Sequence, residues 1–140
     1  MKRIIFFLLL IGSMVFADGV GMVKQLKGDV KVKRENQTLP LKVGSRLYRG
    51  DMIITKESGE VGIIFDDGTR ISLGKKAIFV IREFEVDPIK KNYNVDLDLQ
   101  KGKAIFSSGR IGKLSPQSVK FHIPEGIIGI RGTQFAVEVE

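Results

Sequence analysis

From residue 18 onward, apolar and polar side chains alternate along most of the chain, most cleanly over residues 94–100. There Val95, Leu97 and Leu99 interleave with Asn94, Asp96, Asp98 and Gln100. A period of two sends successive side chains to opposite faces of an extended strand, so this run predicts one face in a core and the other in water. The same reading applies to Val30 and Val32, to Ile71 and Leu73, and to Val119, Phe121 and Ile123. Phe135, Val137 and Val139 repeat it near the end of the chain, with Gln134, Glu138 and Glu140 facing out.

Denser apolar runs at 52–54, 61–65 and 77–81 are too short for helices and rich in β-branched residues. They predict strands buried on both faces at the centre of a sheet. Turn chemistry separates the runs at Gly50-Asp51, Ser58-Gly59, Asp67-Gly68 and Gly74, where glycine tolerates positive φ and aspartate bonds its own backbone. Asp66-Asp67-Gly68-Thr69, between two apolar runs, is the strongest hairpin signal. Strands therefore recur about every ten residues, which predicts an all-β fold in a single compact domain. A β-sandwich, a roll and a short β-solenoid all fit that spacing. Residues 85–92 and 107–118 carry Pro88, Pro116, Gly109 and Gly112 and read as exposed loops.

Residues 1–17, MKRIIFFLLLIGSMVFA, break the alternation with a basic start, an apolar run from Ile4 to Ile11, and small residues at the positions a signal peptidase reads. Val15 and Ala17 stand at −3 and −1 of a cleavage before Asp18, so the expected product is a β-domain over residues 18–140. The apolar run is short for a membrane span, and the expected location is the periplasm, with the mature form not embedded in the membrane.

Composition narrows the chemistry. Without cysteine there are no disulfides, thiolate metal ligands or thiol nucleophile. The net charge of +7 falls to +5 once Lys2 and Arg3 are removed with the signal segment. That mild excess, on an exported chain, favours a solvated lysine-rich surface, an acidic partner or an anionic envelope polymer. With no tryptophan and only Tyr48 and Tyr93 outside the phenylalanines, the chain lacks the exposed aromatics that stack nucleic-acid bases.

No catalytic residue, cofactor or metal site is predicted. His122, the sole histidine, reads as a solvated surface residue beside Lys120. Asp66 and Asp67 lack the alternating acidic spacing of a calcium loop, while Asp87, Asp96 and Asp98 read as solvating strand edges. The glycines of GIIGIRG at 126–132 precede no helix and no Lys-Ser/Thr pair, so they read as close backbone packing or a bulge and not as a phosphate loop.

Several of these motifs also occur in a family-like order. Gly28-Asp29-Val30 is followed by Leu41-Lys42-Val43-Gly44 with Leu47, by Gly50-Asp51-Met52-Ile53 with Thr55, and by 61–65 leading into Asp67-Gly68-Thr69 and Ile71-Ser72-Leu73. Leu97-Asp98-Leu99 then precedes Gly102-Lys103-Ala104, and Ile130-Arg131-Gly132-Thr133-Gln134-Phe135 ends the succession. Together, over roughly residues 24–140, they resemble the FecR domain of bacterial envelope signalling proteins. The resemblance implies an extracytoplasmic β-rich domain that, in well-known members, senses an outer-membrane receptor and signals through a membrane helix to a cytoplasmic anti-sigma segment. Here a cleavable signal stands in place of the cytoplasmic segment, so the expectation is a soluble, non-catalytic binding module whose partner is another envelope protein. A cell-wall or polysaccharide-binding β-domain is the alternative. Gly50, Asp51, Asp67, Gly68, Arg131, Gly132 and Thr133 are the motif residues expected either to set turns or to face the partner.

Overall fold

The alternation closes into a curled half-barrel in the computed structural model, which describes residues 19–131 and 134–140. The expected signal segment at 1–17 lies outside the described residues, as do Gly132 and Thr133. Among the described residues there are twelve strands: β1 Gly21–Lys27, β2 Val30–Arg34, β3 Gln37–Pro40, β4 Arg46–Leu47, β5 Met52–Thr55 and β6 Glu60–Phe65, then β7 Arg70–Leu73, β8 Ile78–Asp87, β9 Asn92–Ser107, β10 Val119–Ile123, β11 Gly126–Ile128 and β12 Gln134–Val139. Their order across the sheet is β3-β2-β5-β8-β9-β7-β6-β1-β4. All pairings are antiparallel except β9 with β10.

The 16-residue β9 belongs to both halves of this sheet. Its first part pairs with β8 and β10, and its second part with β7 and β12. Inward residues are odd-numbered before the junction (Val95, Leu97, Leu99) and even-numbered after it (Ala104, Phe106). A bulge absorbs the change of parity, with Ile78 opposite Lys101 and Phe79 opposite Leu99. Gly102 sits there at φ +93, and a Cβ at that position would lie 2.6 Å from the Ala77 Cα. Only glycine permits both that backbone turn and that approach.

Inside the curl, the rings of Phe106, Phe121 and Phe135 pack with centroids 5.0–6.1 Å apart. Val23, Leu47, Ile53, Ile71, Phe79 and Ile81 are fully buried beside them.

Three expectations from the sequence are corrected. The runs at 52–54, 61–65 and 77–81 do form strands or lead into them, but each buries one face only. Ile53, Ile63 and Phe79 point inward, whereas Met52, Ile54, Ile64 and Val80 remain half-buried on the outside, because the described residues place no second layer there. Residues 85–87 and 92 belong to strands, leaving only a turn at 88–91. That turn is held by Asp87 Oδ1, which accepts the Ile89 and Lys90 N–H groups, and Ile89 at its tip is 94% exposed. The 107–118 segment is not simply an exposed loop: it contains the short helices α1 Ile111–Leu114 and Pro116–Ser118, and Ile111 is fully buried. Its apolar side chain supplies the reason for folding back onto the core.

Gly126 and Gly129 are not explained by close packing either. A Cβ at Gly126 or Gly129 would meet nothing within 4 Å.

Candidate partner-binding cleft

Two of the aspartates singled out in the sequence are buried, and each ties together chain segments that are distant in sequence. Asp51 begins where β5 is about to start and is fully buried. Its Oδ1 accepts Arg34 Nε at 2.8 Å, and its Oδ2 accepts both an Arg34 Nη2 proton and the Tyr48 amide at 2.8 Å. Arg34, at the end of β2, lies with its guanidinium carbon 4.5 Å from the Tyr48 ring centroid and donates also to the Arg46 carbonyl. The fork of the guanidinium matches a carboxylate bidentately, and the aromatic ring covers one guanidinium face. The hydrogen bond to Asp51 is the largest cause that raises the Arg34 pKa above its ordinary value, against the opposing effect of burial. Gly50, at φ +90, makes the tight turn that presents Asp51 to these donors.

Asp67 performs a parallel task in the β6–β7 hairpin. Its Oδ1 accepts the Thr69 amide at 2.8 Å, and its Oδ2 accepts the Thr69 hydroxyl at 2.9 Å and the Ile111 amide at 3.0 Å. The Thr69 hydroxyl oxygen in turn accepts the Gly109 amide, and the Asp67 carbonyl accepts the Arg110 amide. Gly68 turns the hairpin at φ +89. One small hairpin thereby clamps the α1 segment.

These two turns stand at one end of the curled sheet and border the same open cleft, about 740 Å³ in volume. Tyr48 and Arg49 line it from the first turn, Asp66 and Asp67 from the second, Arg110 from the α1 segment, and Gly19 and Val20 from the entry to β1. The remaining wall is the end of β8, contributing every residue from Glu83 to Asp87, with Pro88 of the following turn. Phe84 faces inward and stacks on Phe65 at a centroid distance of 4.3 Å. Glu83 binds Arg49 at 3.0 Å, and Asp66 binds Arg46 at 3.3 Å. Glu85 is exposed.

Of the motif residues, Asp67 lines the cleft, while Gly50, Asp51 and Gly68 sit beside lining residues in the two turns, and both carboxylates are committed to internal bonds. Arg131 is exposed, does not line the cleft, and forms no ion pair among the described residues. The acidic wall was not singled out from the sequence, although its signal is there: Glu83, Glu85 and Asp87 alternate with Phe84 and Val86, a period-two row of carboxylates.

Other acidic and basic positions depart from their expected surface roles. Asp98 is largely buried and binds Arg82 at 2.8 Å. His122 is half-buried, with Nε2 2.9 Å from Asp96 Oδ1 across the parallel β9–β10 pair. That short approach lacks hydrogen-bond geometry, so distance alone relates the two groups. No cluster of three acidic or histidine side chains suited to a metal ion occurs among the described residues.

The FecR protein family matches residues 51–140, beginning at the buried Asp51 itself. The chain belongs to that family. The match takes in the whole acidic wall, the Asp67 hairpin and β9–β12, while β1–β4, including Arg34 and the more N-terminal motifs that resemble the family, precede it. A solved structure described as "Cell surface anchoring domain" is 34% identical, with a TM-score of 0.42, covering 44% of this chain and 82% of that one. No curated protein matches the chain. Among the described residues of this FecR-family protein, no helix is long and apolar enough to cross a membrane.

Proposed function

We propose that this FecR-family chain is a non-catalytic extracytoplasmic module that binds another protein of the cell envelope. The cleft carries the proposal. The buried Asp67 in its lining and Asp51 in the neighbouring turn are both occupied in holding turns, and the open wall offers carboxylates and a strand to a macromolecular partner. Asp66, Glu83, Glu85 and Asp87 outnumber Arg49 and Arg110 around it, an arrangement that repels an anionic glycan. The glycan-binding alternative would have to use a different surface.

The test is cross-linking of the tagged protein in intact cells followed by mass identification of the adducts. One discrete protein adduct is the expected result. Attachment only to wall fragments, or to nothing above background, would overturn the proposal.

A further inference from the structure

The β8 wall has a feature that side-chain patterning alone does not reveal. β5 pairs with β8 only at Ile78, Phe79 and Val80, and the 50–51 turn extends that contact to Ile81 through Gly50 N to Ile81 O (2.6 Å) and Ile81 N to Asp51 O (3.0 Å). Beyond Ile81, among the described residues, the backbone of β8 within the strand is hydrogen-bonded to β9 alone. The register shift between Ile81 and Glu83 marks where the strand turns away from β5. Its other edge then runs unpaired along the cleft. Six consecutive residues, 83–88, line that cleft, whereas a strand seen from one face would present only every second side chain. The cleft is therefore met by the edge of the strand, with its backbone N–H and C=O groups.

Resting on the partner-binding reading above, we infer that the outer edge of β8 from Glu83 to Asp87 takes an extended, basic segment of the partner protein as an added strand. Five residues span about 17 Å, enough to set the register of a short strand by main-chain bonds. Specificity comes from the flanking charge. Glu83, Glu85 and Asp87 fall on one face of β8, so lysine or arginine at alternate positions of the incoming strand would meet a carboxylate at each step. Arg49, 65% exposed at the side chain, is the internal cation on Glu83 that an incoming residue would displace. The same row argues against a second copy of this chain. Antiparallel self-pairing centred on Glu85 would set Glu85 against Glu85 and Glu83 against Asp87, and like charges directly opposed are unfavourable.

Hydrogen–deuterium exchange of the purified protein, with a ten-residue peptide alternating lysine and valine, tests this. Exchange at the outward-facing amides within 83–87 is expected to slow roughly tenfold or more, and to recover as salt rises. A peptide alternating glutamate and valine is expected to have no effect. Glu85→Lys, at an exposed position, is expected to weaken the lysine peptide roughly tenfold without altering the melting temperature. Unchanged exchange at 83–87, unchanged affinity after Glu85→Lys, or protection of these amides by raised protein concentration alone would each overturn the assignment. A discrete cellular cross-link without protection at 83–87 would overturn the edge and leave the partner-binding reading standing; protection at 83–87 with no cellular adduct would overturn that reading instead.

Discussion

Asp67 Oδ2 and the Ile111 amide nitrogen stand 3.0 Å apart, although 44 residues separate them in the chain. Through that bond, a hairpin turn of one part of the sheet fixes the segment that leads from β9 to β10. Asp67→Ala would leave the Ile111 and Thr69 donors without their charged acceptor in a buried setting. The expected loss is about 3 kcal/mol, or roughly 10 °C in Tm for a domain of this size, measured by thermal denaturation.

Asp51 and Arg34 make a coupled pair whose pH behaviour is calculable in sign. The Arg34 pKa is raised in the folded chain, chiefly by its hydrogen bond to Asp51. A raised pKa on a cation contributes stability that is fully present below the unfolded value and is lost only as pH climbs through the folded one. Both lie far above neutrality, so the stability lost in Arg34→Ala is expected to stay flat between about pH 6 and pH 9 in denaturant titrations. Asp51→Ala, which strands the guanidinium and the Tyr48 amide, is expected to cost about 3 kcal/mol. Arg34→Lys keeps the charge but loses the fork, and should cost less, about 1 kcal/mol.

Two glycines should respond very differently to the same substitution. A Cβ at Gly109 would lie 2.4 Å from both the Asp67 carbonyl oxygen and the Thr69 nitrogen. Gly109→Ala is therefore expected to push the α1 segment off the hairpin, at a cost of about 2 kcal/mol or more. Gly129→Ala meets nothing within 4 Å and is expected to change stability by less than about 1 kcal/mol. Parallel melting curves of the two variants check the contrast.

Arg131 is exposed, so Arg131→Ala is expected to leave Tm within about 2 °C of the parent protein. A larger fall would make it a structural residue of the β11–β12 connection.

The all-β character was legible because alternation is strong where one face is buried, as at Val95, Leu97 and Leu99. Topology was not legible, since hydrogen bonding of β9 to four different strands leaves no local trace beyond a change of parity and Gly102. Runs such as Met52-Ile53-Ile54 misled because composition cannot distinguish a strand covered on both sides from one whose outer apolar residues are merely half-covered. The Gly50-Asp51 and Asp67-Gly68 turns were visible from their chemistry. Their long-range partners, Arg34 and Ile111, were not, because nothing in the spacing of 17 or 44 residues announces a contact. Ile111 and Leu114 do stand as apolar residues in a polar stretch, a local hint that 107–118 returns to the core, although of the two only Ile111 is buried there.

The dependence on β9 also has a consequence in time. When the chain emerges N-terminus first, β7 and β8 are both complete before the strand that joins them has appeared, since β9 begins only at Asn92. Most of the pairing is non-local, a topology that folds slowly and leaves strand edges exposed in the interval. The two halves of the sheet can therefore be joined only after the first two-thirds of the polypeptide has been made, and until then the edges of β7 and β8 that β9 will cover lie open to other chains.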